Sequence, residues 1–180
     1  MVFSQEPLGR DFFALFGLPH RFALDMSELE VLYRDMQARV HPDKFASAGE
    51  ADKRLAMQLA THANEAYLTL KSPLKRAQYL LHLVGHDAQI EHNTAMPTAF
   101  LIEQMEWREA VIEAREAADV AELDHLHHRM RKEISLQYDA LHQALDEHAD
   151  HARAAEVVRQ LMFQEKLLHE IDDALEAVEA

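Results

Sequence analysis

Apolar residues along the chain recur at helical steps of three and four, and alternation at period two persists nowhere. Phe12, Phe13, Leu15, Phe16 and Leu18 crowd into a short segment that Gly17 and Pro19 interrupt, which predicts a first helix of one or two turns. Ser27 followed by Glu30 forms a capping-box pattern ahead of Leu29, Leu32, Tyr33, Met36 and Val40, predicting an amphipathic helix over 28–40. Pro42 ends that run. Ser47 and Glu50 repeat the capping pattern, and Leu55, Leu59, Ala63, Ala66, Tyr67 and Leu70 then fill one helical face for more than five turns. The second and third helices can pair antiparallel, with the phenylalanines of the first closing their open side.

Ser72-Pro73 reads as a cap with proline at the first helical position, and Gly85 sits where a left-handed C-terminal cap belongs, so a fourth, shorter helix fits between them. Gly85, Asp87, Asn93 and Pro97 mark the linker. Three long stretches follow, 97–118, 121–147 and 151–178, without an internal Gly or Pro, as a three-helix bundle requires. The expected fold is all-α, organised as an N-terminal helical domain over 1–84, a linker over 85–96 and a C-terminal bundle over 97–180.

Composition narrows the function. The absence of cysteine excludes a disulfide scaffold, thiolate metal sites and thiolate catalysis, and is compatible with a reducing cytosol. The first residues lack a basic, then apolar leader, and no segment approaches the ~20 apolar residues of a membrane span. The expectation is a soluble protein without an export or import signal. The net charge of −14 lies wholly in residues 77–180, where eight Lys/Arg face twenty-two Asp/Glu, while residues 1–76 balance ten against ten. Such a C-terminal half repels polyanions, so nucleic acid is not an expected partner. Thirteen histidines are present, but no HExxH or comparable ligand spacing accompanies them, so neither a metal site nor a cofactor is expected.

His41-Pro42-Asp43 lies between two predicted antiparallel helices, where Pro42 fixes the backbone and holds an imidazole and a carboxylate out on a rigid corner. Asp43 can there make a charge-assisted hydrogen bond to a partner arginine. Arg34, Ala38 and His41 share one helical side, and with Arg39 and Lys44 they supply a positive approach surface. As a catalytic pair, His41 and Asp43 lack a nucleophile, a phosphate-cradling glycine loop or a metal motif, so an enzyme is not expected.

With Lys44-Phe45 after it and Asn64-Glu65-Ala66-Tyr67-Leu68-Thr69-Leu70 on the next helix, the tripeptide resembles the J-domain of DnaJ-type co-chaperones. Four ordered segments narrow the resemblance. Phe12-Phe13-Ala14-Leu15-Phe16-Gly17-Leu18-Pro19, His41-Pro42-Asp43-Lys44-Phe45-Ala46, Thr69 to Leu81 and Thr98-Ala99-Phe100-Leu101-Ile102-Glu103-Gln104-Met105-Glu106 together look like the HscB family, over nearly the whole chain. The resemblance implies a J-domain joined to a three-helix bundle, without enzymatic activity of its own. It implies two partners: a DnaK-class chaperone of the HscA kind, engaged through Arg34, Arg39, His41, Pro42, Asp43 and Lys44, and the iron–sulfur scaffold IscU, gripped by the bundle. Lacking the cysteine-rich segment and transit peptide of eukaryotic relatives, the chain resembles the bacterial, cytoplasmic branch. An alternative is a general J-protein that holds unfolded clients.

On a helical projection of 97–118, Phe100, Trp107, Val111, Ala114 and Ala118 gather as the core stripe. The other side mixes Leu101, Ile102, Met105 and Ile112 with Glu106, Glu109, Glu113 and Glu116. Periodicity leaves two readings open: a partner patch with an apolar centre and acidic rim, or a second buried stripe flanked by solvated glutamates. The resemblance implies the first, with Leu101, Ile102, Met105, Glu106, Glu109, Glu113 and Phe163 as scaffold contacts. Met105 stands where relatives often have Leu, and Ile102 replaces a longer unbranched side chain; both keep the position apolar.

Overall fold

Helix α1 (Phe12–Phe16) begins at Asp11, whose carboxylate accepts the Ala14 N–H at 2.9 Å, and ends at Gly17, which takes the left-handed conformation with φ 68°. Burial alone would raise the Asp11 carboxyl, but the Ala14 and Phe13 N–H groups and the neighbouring His20 outweigh it and hold the group below its ordinary range. These helices belong to a computed structural model that describes residues 6–86 and 96–179. The expected linker over 85–96 therefore lies, except for its ends, outside the described residues. Along the chain follow α2 (Met26–Arg39), α3 (Glu50–Lys71), α4 (Pro73–Leu83), α5 (Thr98–Glu116), α6 (Val120–His142) and α7 (His151–Glu179). Among the described residues there is no strand. The chain divides into two compact units, Met1–Leu80 and Leu81–Ala180.

In the first unit α2 and α3 run antiparallel. Tyr33 and Tyr67 stack with ring centroids 4.1 Å apart, and the Tyr33 hydroxyl donates to Asn64 at 3.0 Å. Phe13, Leu15, Phe16 and Leu18 close the open side of this pair against Leu29, Ala63, Ala66 and Leu70, burying the greasy first helix. Tyr79 of α4 joins them, its ring 4.4 Å from that of Phe12 and its hydroxyl accepting the Phe12 N–H at 3.0 Å. Arg76 is buried, donating to the Leu70 carbonyl at 2.6 Å with its guanidinium over the Phe22 ring.

Two helix starts differ from the sequence expectation. The cap of α2 is Asp25, not Ser27: its carboxylate accepts both the Ser27 and Glu28 N–H groups, and an ionised acceptor at the positive helix end is stronger than a hydroxyl. The cap of α3 is Gly49, not Ser47, because a 3-10 turn over Pro42–Phe45 and the Ala48 N–H to Phe45 carbonyl bond carry the turn past Ser47.

The second unit is the three-helix bundle of α5, α6 and α7. Its core joins Phe100, Trp107, Val111 and Ala114 to Leu123, Leu126, Met130, Ile134 and Leu141, and to Val157, Val158, Leu161, Leu167 and Ile171. Ala118, placed by periodicity in the core stripe, is instead exposed with φ 52°. The Asp119 N–H to Ala114 carbonyl and Ala118 N–H to Arg115 carbonyl bonds end α5 there, and a left-handed residue is needed to close that motif. The stretch expected as one helix to 147 widens after His142 into a π-helical turn over Gln143–Glu147, closed by the His148 N–H on the Gln143 carbonyl.

Candidate partner-binding sites

In the first unit the site grows from the end of α2. Val40 caps that helix, its N–H donating to the Met36 carbonyl at 3.2 Å. His41 is then forced out of helical geometry by the following proline and takes φ −59° and ψ 134°. Pro42 opens the 3-10 turn, closed by the Lys44 N–H on the His41 carbonyl at 3.0 Å, and buried Phe45 anchors it to the fold. The Asp43 N–H donates to His41 Nδ1 at 3.3 Å, so a neutral imidazole carries its proton on Nε2. The Asp43 carboxylate stands 3.5 Å from the same Nδ1, with 90% of its side chain exposed against 59% for His41. The corner is therefore rigid in backbone and open in side chain.

Arg34, His41 and Pro42 line one shallow cleft of about 400 Å³ with Gln37, Ala38 and Ala60. Arg34 is drawn along its own helix by Glu30, four residues earlier. Arg39 and Lys44 are exposed but do not line the cleft, and among the described residues neither pairs with a carboxylate. The expected positive surface thus comprises a cleft holding Arg34 and His41, with two further cations outside it.

In the second unit the outer face of α5 is open. Leu101, Ile102, Met105 and Ile112 are 40%, 51%, 70% and 56% exposed, and Glu106, Glu109 and Glu113 stand exposed beside them. These apolar residues do not form a second buried stripe. Phe163 of α7 is half-buried, its ring set edge-on to Phe100 at 6.0 Å, so it joins the face through the residue before Leu101.

Beneath this face lie residues that the apolar pattern missed. Gln104 is 2% and Gln164 4% exposed, and the Gln104 side-chain amide has no hydrogen-bond partner among the described residues. The spacing held the signal, since Phe100, Gln104, Trp107, Val111 and Ala114 step by four and three through the core. Arg129 of α6 lays its guanidinium 4.7 Å over the Trp107 ring, and Arg108 binds Glu170 at 3.0 Å, fixing α5 to both neighbours. Burial pushes the Glu133 carboxyl up, Glu103 adds to that, and Arg129 opposes it.

The chain matches known proteins over nearly its whole length. The chain is 58% identical to the co-chaperone protein HscB homolog of Aromatoleum aromaticum over 172 residues, covering 96% of this chain and 97% of that protein. It belongs to the HscB co-chaperone family. A family model described as the HSCB C-terminal oligomerisation domain matches residues 96–172, which take in α5, α6 and most of α7. Among solved structures, chaperone HscB from Vibrio cholerae superposes with a TM-score of 0.83 at 36% identity, covering 94% of this chain and 99% of that one. Human co-chaperone protein HscB gives 0.84 at 29% identity, covering 91% and 81%. HscB structures thus share the architecture of a J-domain followed by a helical domain. The family is one of co-chaperones, which act on a chaperone partner and are not themselves enzymes. No helix among the described residues is long and apolar enough to cross a membrane.

Proposed function

We propose that this chain is an adaptor of iron–sulfur cluster assembly in the bacterial cytoplasm. It grips an IscU-type scaffold with the α5 face and presents it to an HscA-like, DnaK-class chaperone, whose ATP hydrolysis it stimulates through His41-Pro42-Asp43. The observation that carries the reading is the open apolar centre of α5, Leu101, Ile102 and Met105 rimmed by Glu106, Glu109 and Glu113, in a family of co-chaperones. Apolar side chains that a folded bundle leaves in water, inside a ring of one charge, suit a partner with an apolar patch and a basic border. Phe163 extends the apolar centre across from α7. At the other unit the exposed Asp43 carboxylate is free to meet a partner arginine, and Arg34, Arg39 and Lys44 favour approach to an acidic surface. A J-domain over 1–84 and a bundle over 97–180, joined by a linker over 85–96, then divide the work between the two partners.

The test is steady-state ATP hydrolysis by a purified HscA-like chaperone with its scaffold, adding wild type or Asp43→Asn. Stimulation that needs both the scaffold and Asp43 supports the adaptor. Stimulation indifferent to the scaffold favours a general J-protein, and none at all overturns the reading.

A further inference from the structure

Without cysteine, all the sulfur of this chain is thioether sulfur. Among the described methionines, two stand largely in water: Met57 at 73% and Met105 at 70% exposure. Met26 and Met162 follow at 38%, and Met130 is sealed at 0%. Met57 lies on α3 in the first unit, whereas Met105 lies at the middle of the α5 apolar patch, one turn from Leu101 and Ile102 and followed in sequence by Glu106 and Glu109. Thioether oxidation needs no catalyst, and its rate follows access to solvent. The chain therefore places the most exposed described methionine of its second unit on the surface assigned above to the scaffold.

We propose that Met105 is a peroxide-sensitive modification site whose oxidation releases the α5 face from its partner, an inference that rests on the scaffold-binding reading of that face. A lone pair of the Met105 sulfur attacks one oxygen of hydrogen peroxide. An S–O bond forms, the O–O bond breaks, and the second oxygen leaves as water with both peroxide protons. Sulfur loses two electrons and the peroxide gains them. The product is a sulfoxide, polar and a strong hydrogen-bond acceptor, where an unbranched apolar side chain stood. Its neighbours along the helix offer it little: Leu101 and Ile102 are apolar, Glu106 and Glu109 are acceptors when ionised, and Arg108, the cation three residues on, already commits its Nε–H to Glu170 at 3.0 Å and its Nη1 to the Gln104 carbonyl at 3.4 Å. Covering that oxygen with an apolar partner surface buries an unpaired acceptor, which weakens the complex roughly tenfold. A leucine at this position could not carry the switch, and a sulfoxide reductase reverses it.

The full-length chain is treated with hydrogen peroxide, the sulfoxide content of each methionine is read from peptide masses, and affinity for an IscU-type scaffold is measured before and after. Wild type, Met57→Leu and Met105→Leu are each compared with their own untreated sample. Expected is early oxidation at Met57 and Met105 and late oxidation at Met130, a roughly tenfold loss of affinity in wild type and Met57→Leu, recovery after methionine sulfoxide reductase, and no loss in Met105→Leu. Oxidation of Met105 no faster than Met130, or an equal loss of affinity in Met105→Leu, overturns the switch while leaving the docking face standing. An untreated wild type that does not bind the scaffold overturns both readings at once.

Discussion

Truncating the α5 patch to alanine, one residue at a time, turns exposure into a rank order of affinity. Full burial of a Leu, Ile or Met side chain contributes ~1.5–3 kcal/mol. Docking can add only the part still open, which is 70% of Met105, 51% of Ile102 and 40% of Leu101. Scaled that way, Met105→Ala costs the scaffold complex ~1–2 kcal/mol, Ile102→Ala ~0.8–1.5 and Leu101→Ala ~0.6–1.2. For Met105→Ala the loss in Kd is about fivefold to thirtyfold. Folding responds in the opposite order. Met105 is mostly in solvent, so its truncation leaves unfolding free energy within ~0.5 kcal/mol of wild type. Leu101 is more than half covered and costs folding as well as docking. Calorimetric titration against an IscU-type scaffold, paired with thermal unfolding of each variant, measures both quantities. An unchanged Kd for Met105→Ala would refute the assignment of this face, and a larger binding loss for Leu101→Ala than for Met105→Ala would refute the scaling of docking energy with exposure.

Two pH-dependent effects follow from the folded-state carboxyl groups. Asp11 is held below its ordinary pKa of 3.8, so its contribution is present above that value and lost as pH falls through the lowered one; Asp11→Ala destabilises at neutral pH by ~1 kcal/mol, as removal of a helix cap does, and the difference closes in acid denaturation series. Glu133 is pushed above its ordinary 4.5 by burial and by Glu103, so its contribution is full below 4.5 and lost as pH rises through the raised value; Glu133→Gln therefore raises the thermal midpoint at neutral pH, and that gain disappears at low pH. A Gln variant equal to wild type at neutral pH would show that the folded chain does not hold this carboxyl above its ordinary value.

Local sequence determined much of this protein because its elements are helices whose bonds close within each segment. The stripe Leu59, Ala63, Ala66 and Leu70 specifies a buried face wherever the helix finds a partner, and Pro42 ends α2 whatever surrounds it. The carboxylates around Leu101, Ile102 and Met105 were likewise readable from spacing. Tertiary structure alone decided which of two competing signals won. Ser27 and Ser47 have capping patterns, but where the chain enters a helix depends on the turn before it, and that gave the caps to Asp25 and Gly49. Gln104 is polar yet buried, because a helix packed between two neighbours buries whatever residue occupies the central position. Whether Leu101, Ile102 and Met105 were a second core stripe or an open face could not be read from α5, since exposure is a property of where α6 and α7 stop covering it. Arg76, which composition assigns to the surface, lies in the core of the first unit because the Leu70 carbonyl at the end of α3 and the Phe22 ring meet its guanidinium there, a juxtaposition made by residues far apart in the chain.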